Sequence, residues 1–430
     1  MIGRKLQSEI VWSTLVQVLG KALQIVLGTL TVYQLTTALG ADHYGTYAQI
    51  MEFSLFFSTA GNLGIFGNIV RKMADQPKDS NLFWNALLLR ISTAFVFFGV
   101  GILTLLLTSQ DPLFLAATLI FMSSLLLDYI TSVCDGALQA NYRMGRATFA
   151  LVAGRLLNLA CITLLAQQGS SSTLVFLMGP LLGSCVTALL SLYFVHGRMK
   201  IIGHWDFQIQ KELLWTSLPF GIINILNNIY YRFLPSALIA KTLESSAYST
   251  YSLSLHLAST LSLFSTLLMF SVLPALKHAL KEGHEESAKE LYKKARNTLT
   301  ALAILVVSGG ILLGPWALSL VTSHDFLSPH LWFMLPLLMI LTGVSYFYDL
   351  TFITLFALGQ DLWWLKREFL ALSLSLLIAS SILLPLSTDA KVVLILISAI
   401  AGESAMALMG LHKTKSLIFH KKVSLSSKIC

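Results

Sequence analysis

Charge is what this sequence has least of. Only 12% of its 430 residues are Asp, Glu, Lys or Arg, while 55% are hydrophobic and the mean hydropathy is +0.74. A soluble globular chain carries about 25% charged residues. The deficit excludes a water-soluble enzyme, a disordered chain and a nucleic-acid-binding protein, even though a net charge of +8 and a pI near 9.2 would otherwise raise the last of these. Cysteine is also scarce. Cys134, Cys161, Cys185 and Cys430 have neither metal-site nor disulfide spacing and read as small apolar fillers. No phosphate-binding P-loop, Asp-x-Asp, His-Glu-x-x-His or Gly-x-Ser-x-Gly motif occurs, so the chain is expected to be no enzyme and to need no metal or cofactor. Long outer loops are missing as well, the longest lying near Ser323–His330, which leaves no room for an extracytoplasmic domain.

What is present is a succession of long apolar runs. A membrane-spanning helix needs roughly 20 mostly apolar residues. Twelve stretches qualify: 9–35, 45–69, 82–107, 113–134, 147–167, 173–195, 213–240, 248–273, 298–321, 331–357, 367–386 and 391–411. Their length and lack of alternation exclude a closed barrel. The first run continues to about Leu35 with no small-residue cleavage site, so it is expected to remain as a helix rather than be removed as a signal peptide. The expected class is an all-α polytopic membrane protein.

Orientation follows from the basic residues. Of 29 Lys and Arg, 23 fall in the termini and loops on the N-terminal side of the membrane, among them Arg71, Lys72, Arg143, Arg198, Lys294, Arg367 and Lys421; only Lys241 and Lys391 fall on the other. The asymmetry places both termini in the cytoplasm and requires an even number of spans. The largest cytoplasmic loop, 277–297, reads as a basic amphipathic helix with i,i+4 pairs such as Glu290 with Lys294.

The two halves resemble each other at an offset near 204. Glu9-Ile-Val-Trp12 matches Glu212-Leu-Leu-Trp215, and Tyr44-Gly-Thr-Tyr47 matches Tyr248-Ser-Thr-Tyr251. The expected organisation is an N-terminal six-helix lobe (1–200), a linker (201–211), a C-terminal six-helix lobe (212–412) and a basic tail (413–430). Six spans return the chain to the cytoplasm, so the lobes are parallel repeats. Transporters use such repeats with the substrate path at the interface between them.

Charges kept inside apolar segments need a reason. A cation at a helix centre costs about 2.5–3.5 kcal/mol on the insertion scale, so Lys21, Arg90, Arg155 and Arg232 facing lipid would together cost on the order of 10 kcal/mol. Each faces water, an acid or an anionic ligand, or else is a snorkelled or paired structural cation. The intramembrane acids are read as Glu52, Asp128, Asp349 and Glu403. The repeat offset carries Glu52 onto His256, a pair suited to gating or proton coupling; Asp128 and Asp349 are near-equivalent gate or loop-anchor candidates. Segment 7 holds Pro219, Pro235, Asn224, Asn227, Asn228, Tyr230 and Tyr231, a bent polar stretch able to line a path or to bond neighbouring helices.

At the residues Leu39-Gly40, Gly45-Thr-Tyr47, Val70-Arg71, Ala137-Leu-Gln-Ala-Asn-Tyr-Arg-Met-Gly145 and Leu214 to Pro219, the chain resembles O-antigen and capsular repeat-unit flippases (Wzx-type) of the multidrug/oligosaccharidyl-lipid/polysaccharide exporter superfamily. The resemblance implies a V-shaped pair of lobes. It also implies translocation of undecaprenyl-pyrophosphate-linked oligosaccharide to the outer leaflet of the bacterial inner membrane, with proton or potential coupling left open. Lys21, Arg90, Arg155 and Arg232 would then meet the pyrophosphate, and Asn224, Asn227, Tyr230 and Tyr231 the sugars. A polysaccharide polymerase and a chain-length regulator would be its partners, along with inner-membrane lipids, and no nucleic acid. The competing reading is a multidrug or organic small-molecule exporter of the same superfamily, which would prefer an acidic, aromatic cavity. The even count of four buried cations and four acids favours the anionic substrate.

Overall fold

A backbone in lipid has no water to bond, so an apolar chain of this length must satisfy its peptide groups within helices. The computed structural model describes residues 2–76, 78–108, 111–141, 143–197, 200–281, 284–322, 326 and 328–419, and no strand occurs among them. Arg198, Lys421, Lys422, Lys428 and Cys430, and the loop residues Ser323 to Asp325, lie outside the described residues, as do the side chains of Arg4, Lys5, Glu9, Trp12, Lys277 and Lys281.

The helices are α1 (Ile2–Asn62), α2 (Ile65–Asp75), α3 (Ser80–Thr108), α4 (Pro112–Ala140), α5 (Met144–Gln167), α6 (Thr173–Phe176), α7 (Met178–His196) and α8 (Phe207–Asn228). A π turn over Ile229–Phe233 leads into α9 (Leu234–Thr242), followed by α10 (Ser245–Lys281), α11 (Glu285–Val321), α12 (Leu331–Ala357), α13 (Asp361–Ala379) and α14 (Thr388–Phe419). Nine described helices are long and apolar enough to cross a membrane. One of them, α1, is two spans joined at Gly40, whose φ of 67° and ψ of 176° break the helix between the first and second segments. Only glycine takes that conformation without steric cost. The seventh and eleventh segments complete the twelve: one is interrupted by the π turn, and α13 carries too many charges to pass on apolarity. All twelve expected spans are therefore helical.

The helices gather into two compact units that divide between Ile225 and Leu226. The division falls inside α8, and the 201–211 stretch belongs to the first unit. Side chains explain this. Asn81 Oδ1 accepts from the His204 N–H (2.9 Å), Asn85 Nδ2 donates to the His204 carbonyl (2.8 Å), and Asn85 Oδ1 accepts from the Asp206 N–H (2.8 Å). Asp206 then caps α8 by accepting from the Gln208 N–H (2.8 Å). The first half of α8 is fastened along α2: Asn68 Nδ2 donates to Ser217 Oγ (2.6 Å) and Thr216 Oγ1 (3.1 Å), and Lys72 pairs with Glu212 (2.7 Å). Gly64, with φ of 68°, and Gly221 bring the two backbones together; a Cβ on Gly221 would sit 2.5 Å from the Leu63 carbonyl carbon and oxygen.

In the first unit a core of Ile65, Ile69, Met73, Phe83, Ala86, Val133 and Cys134 joins α2, α3 and α4. In the second, α12 is the inner helix, packed by α10, α11 and α14. The repeat is visible within each unit: Tyr44 and Tyr47 are buried with ring centroids 6.2 Å apart, and Tyr248 and Tyr251 are buried 5.5 Å apart. Leu107, Leu312 and Leu383 stand exposed on the outside, as lipid contact requires and water would penalise. Cys134, Cys161 and Cys185 are free thiols.

Because the Gly221 contact is backbone against backbone, no side-chain shift can relieve an added methyl. Gly221→Ala is expected to destabilise the folded protein by about 1–3 kcal/mol, read as a lower unfolding midpoint in detergent, whereas Gly67→Ala, within α2 where a Cβ meets nothing within 4 Å, should leave the midpoint unchanged or raise it, since a helix favours alanine over glycine.

Candidate transport site

The second unit encloses a hydrogen-bonded acid network. Glu368, on α13, is fully buried. Its Oε1 accepts from the Tyr348 hydroxyl (2.6 Å) and the Trp364 indole N–H (2.9 Å), and its Oε2 accepts from the Tyr230 hydroxyl (3.0 Å). Asn227 Nδ2 donates both to Tyr230 Oη (2.9 Å) and to Oε2 of Glu403 (3.0 Å), a buried acid on α14. Tyr231 hydrogen-bonds Ser345 and interacts with Arg232. On α12, Asp349 Oδ2 accepts from Ser265 and from Thr266 (3.0 Å), both on α10. Four of these residues lie at or beside the π turn. There the backbone departs from the α repeat and Pro235 can start the next helix without a donor.

The first unit carries the cations. Lys21 on α1 is exposed and interacts electrostatically with Asp135 on α4. Arg155 on α5 is exposed and interacts with Asp128, which also accepts from Ser184 Oγ (2.9 Å). Arg90 is differently placed. It is 4% exposed, its Nη1 donates to the Asn62 carbonyl (3.2 Å) and Oδ1 (2.6 Å), its Nη2 donates to Ser132 Oγ (2.9 Å), and its guanidinium lies 4.2 Å over the Tyr129 ring. A cation on the last carbonyl of α1 complements the helix end. Arg90 ties α1, α3 and α4 together and is committed within its unit.

A family model described as "Polysaccharide biosynthesis protein" matches residues 35–328, more than half of the chain. The chain belongs to that family. Among curated proteins, no relative matches. Solved structures do. An inward-facing multidrug resistance MATE family transporter of the MOP superfamily is 14% identical, with 91% of this chain and 94% of that one covered at a TM-score of 0.72. A MOP superfamily transporter from Pyrococcus furiosus, described as having a binding pocket of reverse polarity, is 16% identical, with 95% of each chain covered at 0.69. At such identities the likeness is one of fold. This member of the polysaccharide biosynthesis family is a multi-pass membrane protein with a transporter's two-lobed helical fold.

Within this family member, Asn227, Tyr230 and Tyr231 come together with Arg232, while Asn224 falls on the first unit's side of the division. Glu52 is buried in the first unit beside Tyr44, and His256 is exposed on α10 in the second. Two further acids lie within the helices beside the four read from the sequence. Glu368, inside the expected segment 367–386, lies two turns inside a helix beginning at Asp361. Asp135, one residue beyond the expected segment 113–134, lies within a helix that runs to Ala140. The usable signals were spacings: Trp364 with Glu368 at i,i+4, and Asp128 with Asp135 at i,i+7, each pair on one helix face.

Two oxygens receiving three donors leave no vacancy for an amide hydrogen. Glu368→Gln is expected to lower stability by about 1–3 kcal/mol by setting an N–H against a donor, whereas Tyr348→Phe, which removes one donor of three and only a hydroxyl's volume, should cost about 1 kcal/mol; thermal unfolding of the two variants checks the order.

Proposed function

We propose that the protein is a flippase that carries an undecaprenyl-pyrophosphate-linked oligosaccharide, an O-antigen or capsule repeat unit, from the cytoplasmic to the outer leaflet of a bacterial inner membrane by alternating access. The single observation that carries this reading is family membership in polysaccharide biosynthesis on a chain whose fold is that of membrane transporters. The charge placement supports it. Lys21 and Arg155 are exposed within spanning helices of the first unit. An exposed intramembrane cation is tolerable where it meets water or an anion, and a pyrophosphate is an anion that Arg in particular engages through paired oxygens. Tyr231 and Arg232, half-buried at the π turn, offer the aromatic and polar surface that sugars need. In this reading both termini are cytoplasmic, and a polymerase and chain-length regulator act on the delivered unit.

A second reading, export of an organic small molecule, rests on the buried acids and aromatics of the second unit, Glu368, Glu403, Tyr230, Tyr348 and Trp364. The two readings differ in what accumulates when the protein is lost. In the native host, deletion should trap lipid-linked oligosaccharide on the cytoplasmic leaflet, and Lys21→Ala at normal protein levels should fail to release it. An unchanged lipid intermediate after deletion would transfer the assignment to small-molecule export.

Outward movement of an anion runs down a potential that is negative inside, by about 2.3 kcal/mol per charge per 100 mV. An ion gradient is therefore not required for the loaded step, and the same potential, negative inside, draws any uncompensated cation of the empty carrier back toward the cytoplasmic side. Flux into vesicles is expected to change when a potential is imposed, and equal flux with and without it would refute this account.

A further inference from the structure

The cations of the first unit form two rungs with acids of their own. Lys21 and Gly28 are seven residues apart on α1, which is two helical turns and one face. Asp135 and Asp128 are seven apart on one face of α4. The two helices pack together. Lys21 interacts with Asp135. Two turns away, Arg155 reaches in from α5 so closely that a Cβ on Gly28 would lie 3.9 Å from its Nη1, and it interacts with Asp128. The acids are held differently from Asp349 in the other unit, which receives two hydroxyl donors. Asp128 receives Ser184, and Asp135 has its Oδ1 buried with no hydrogen-bond partner. A buried acceptor left unmade is costly, so the Lys21–Asp135 rung is incompletely satisfied and ready to exchange.

We propose that Asp135 and Asp128 are exchangeable counter-ions: they neutralise Lys21 and Arg155 in the empty protein, are displaced by the substrate's pyrophosphate, and take the cations back as it leaves. The inference rests on the flippase reading and adds to it the device that limits affinity. An exposed cation in a spanning helix needs water or an anion at every stage of the cycle, and a tethered acid supplies the anion when no substrate is bound. A pyrophosphate offers more acceptor oxygens than one carboxylate and wins while present. The tethered acids keep that binding from becoming so tight that release fails, the condition any conducting site must meet.

The test uses purified full-length protein in lipid nanodiscs titrated with undecaprenyl pyrophosphate, with dissociation rates recorded beside equilibrium affinity. If the acid occupies its cation about nine-tenths of the time, removing its charge should tighten binding about tenfold. Asp135→Asn and, independently through Arg155, Asp128→Asn are each expected to show that gain together with slower release. The gain of Asp135→Asn should vanish in the Lys21→Gln/Asp135→Asn double variant. A purely structural role for the acids predicts no increase in affinity in either variant, so a misfolded variant cannot imitate the result. Unchanged or weaker binding in both single variants, or a gain that persists without Lys21, overturns the counter-ion proposal while leaving the flippase reading in place. Failure of the wild-type protein to bind the probe overturns both.

Discussion

Every polar group placed in a bilayer must find its partner inside the protein, and this structure is organised by that requirement. The helices satisfy the backbone, but the side chains are where the constraint becomes informative. Arg90 shows the structural solution: three hydrogen bonds and a tyrosine face fix one guanidinium at the end of α1. Glu368 shows the same solution for an acid, with Tyr348, Trp364 and Tyr230 donating to its two oxygens. Groups enclosed this way build the fold. Groups that are paired but still exposed, as Lys21 and Arg155 are, remain available for other work.

The backbone breaks follow a parallel logic. Gly40 separates two spans, Leu63 and Gly64 separate α1 from α2, and the π turn separates α8 from α9. The second is stitched to its surroundings. Arg90 holds the Asn62 carbonyl, and Gly64 lies against Phe220 and Gly221. The third brings Tyr230 and Tyr231 toward opposite partners, Glu368 and Ser345. The second and third interruptions therefore sit where polar side chains concentrate, and irregular backbone at membrane depth must be supported by protein rather than lipid.

Much of this was legible in the residue order because hydropathy and charge are properties of local sequence. The twelve spans, the Tyr44/Tyr47 and Tyr248/Tyr251 repeat and the polar character of Asn227 to Arg232 could all be read directly. Segment ends were less legible, since apolarity fades gradually while a helix continues until something stops it. A segment ending at 134 leaves out Asp135, whose helix runs on to Ala140, and hydropathy gives no weight to Glu368 within its segment, yet both acids alter the electrostatic picture of their units.

The sequence by itself determined that the chain is a polytopic helical membrane protein with a duplicated plan and a handful of charges too costly to be idle, because those conclusions need only the transfer energies of residues in order. Only the tertiary structure decided which charges are spent on the fold and which are not. Arg90 and Arg155 both lie within apolar runs, but one is enclosed by Asn62, Ser132 and Tyr129 from other helices and the other is exposed beside Asp128. That difference is set by neighbours dozens of residues away, and a pattern along one helix carries no record of them.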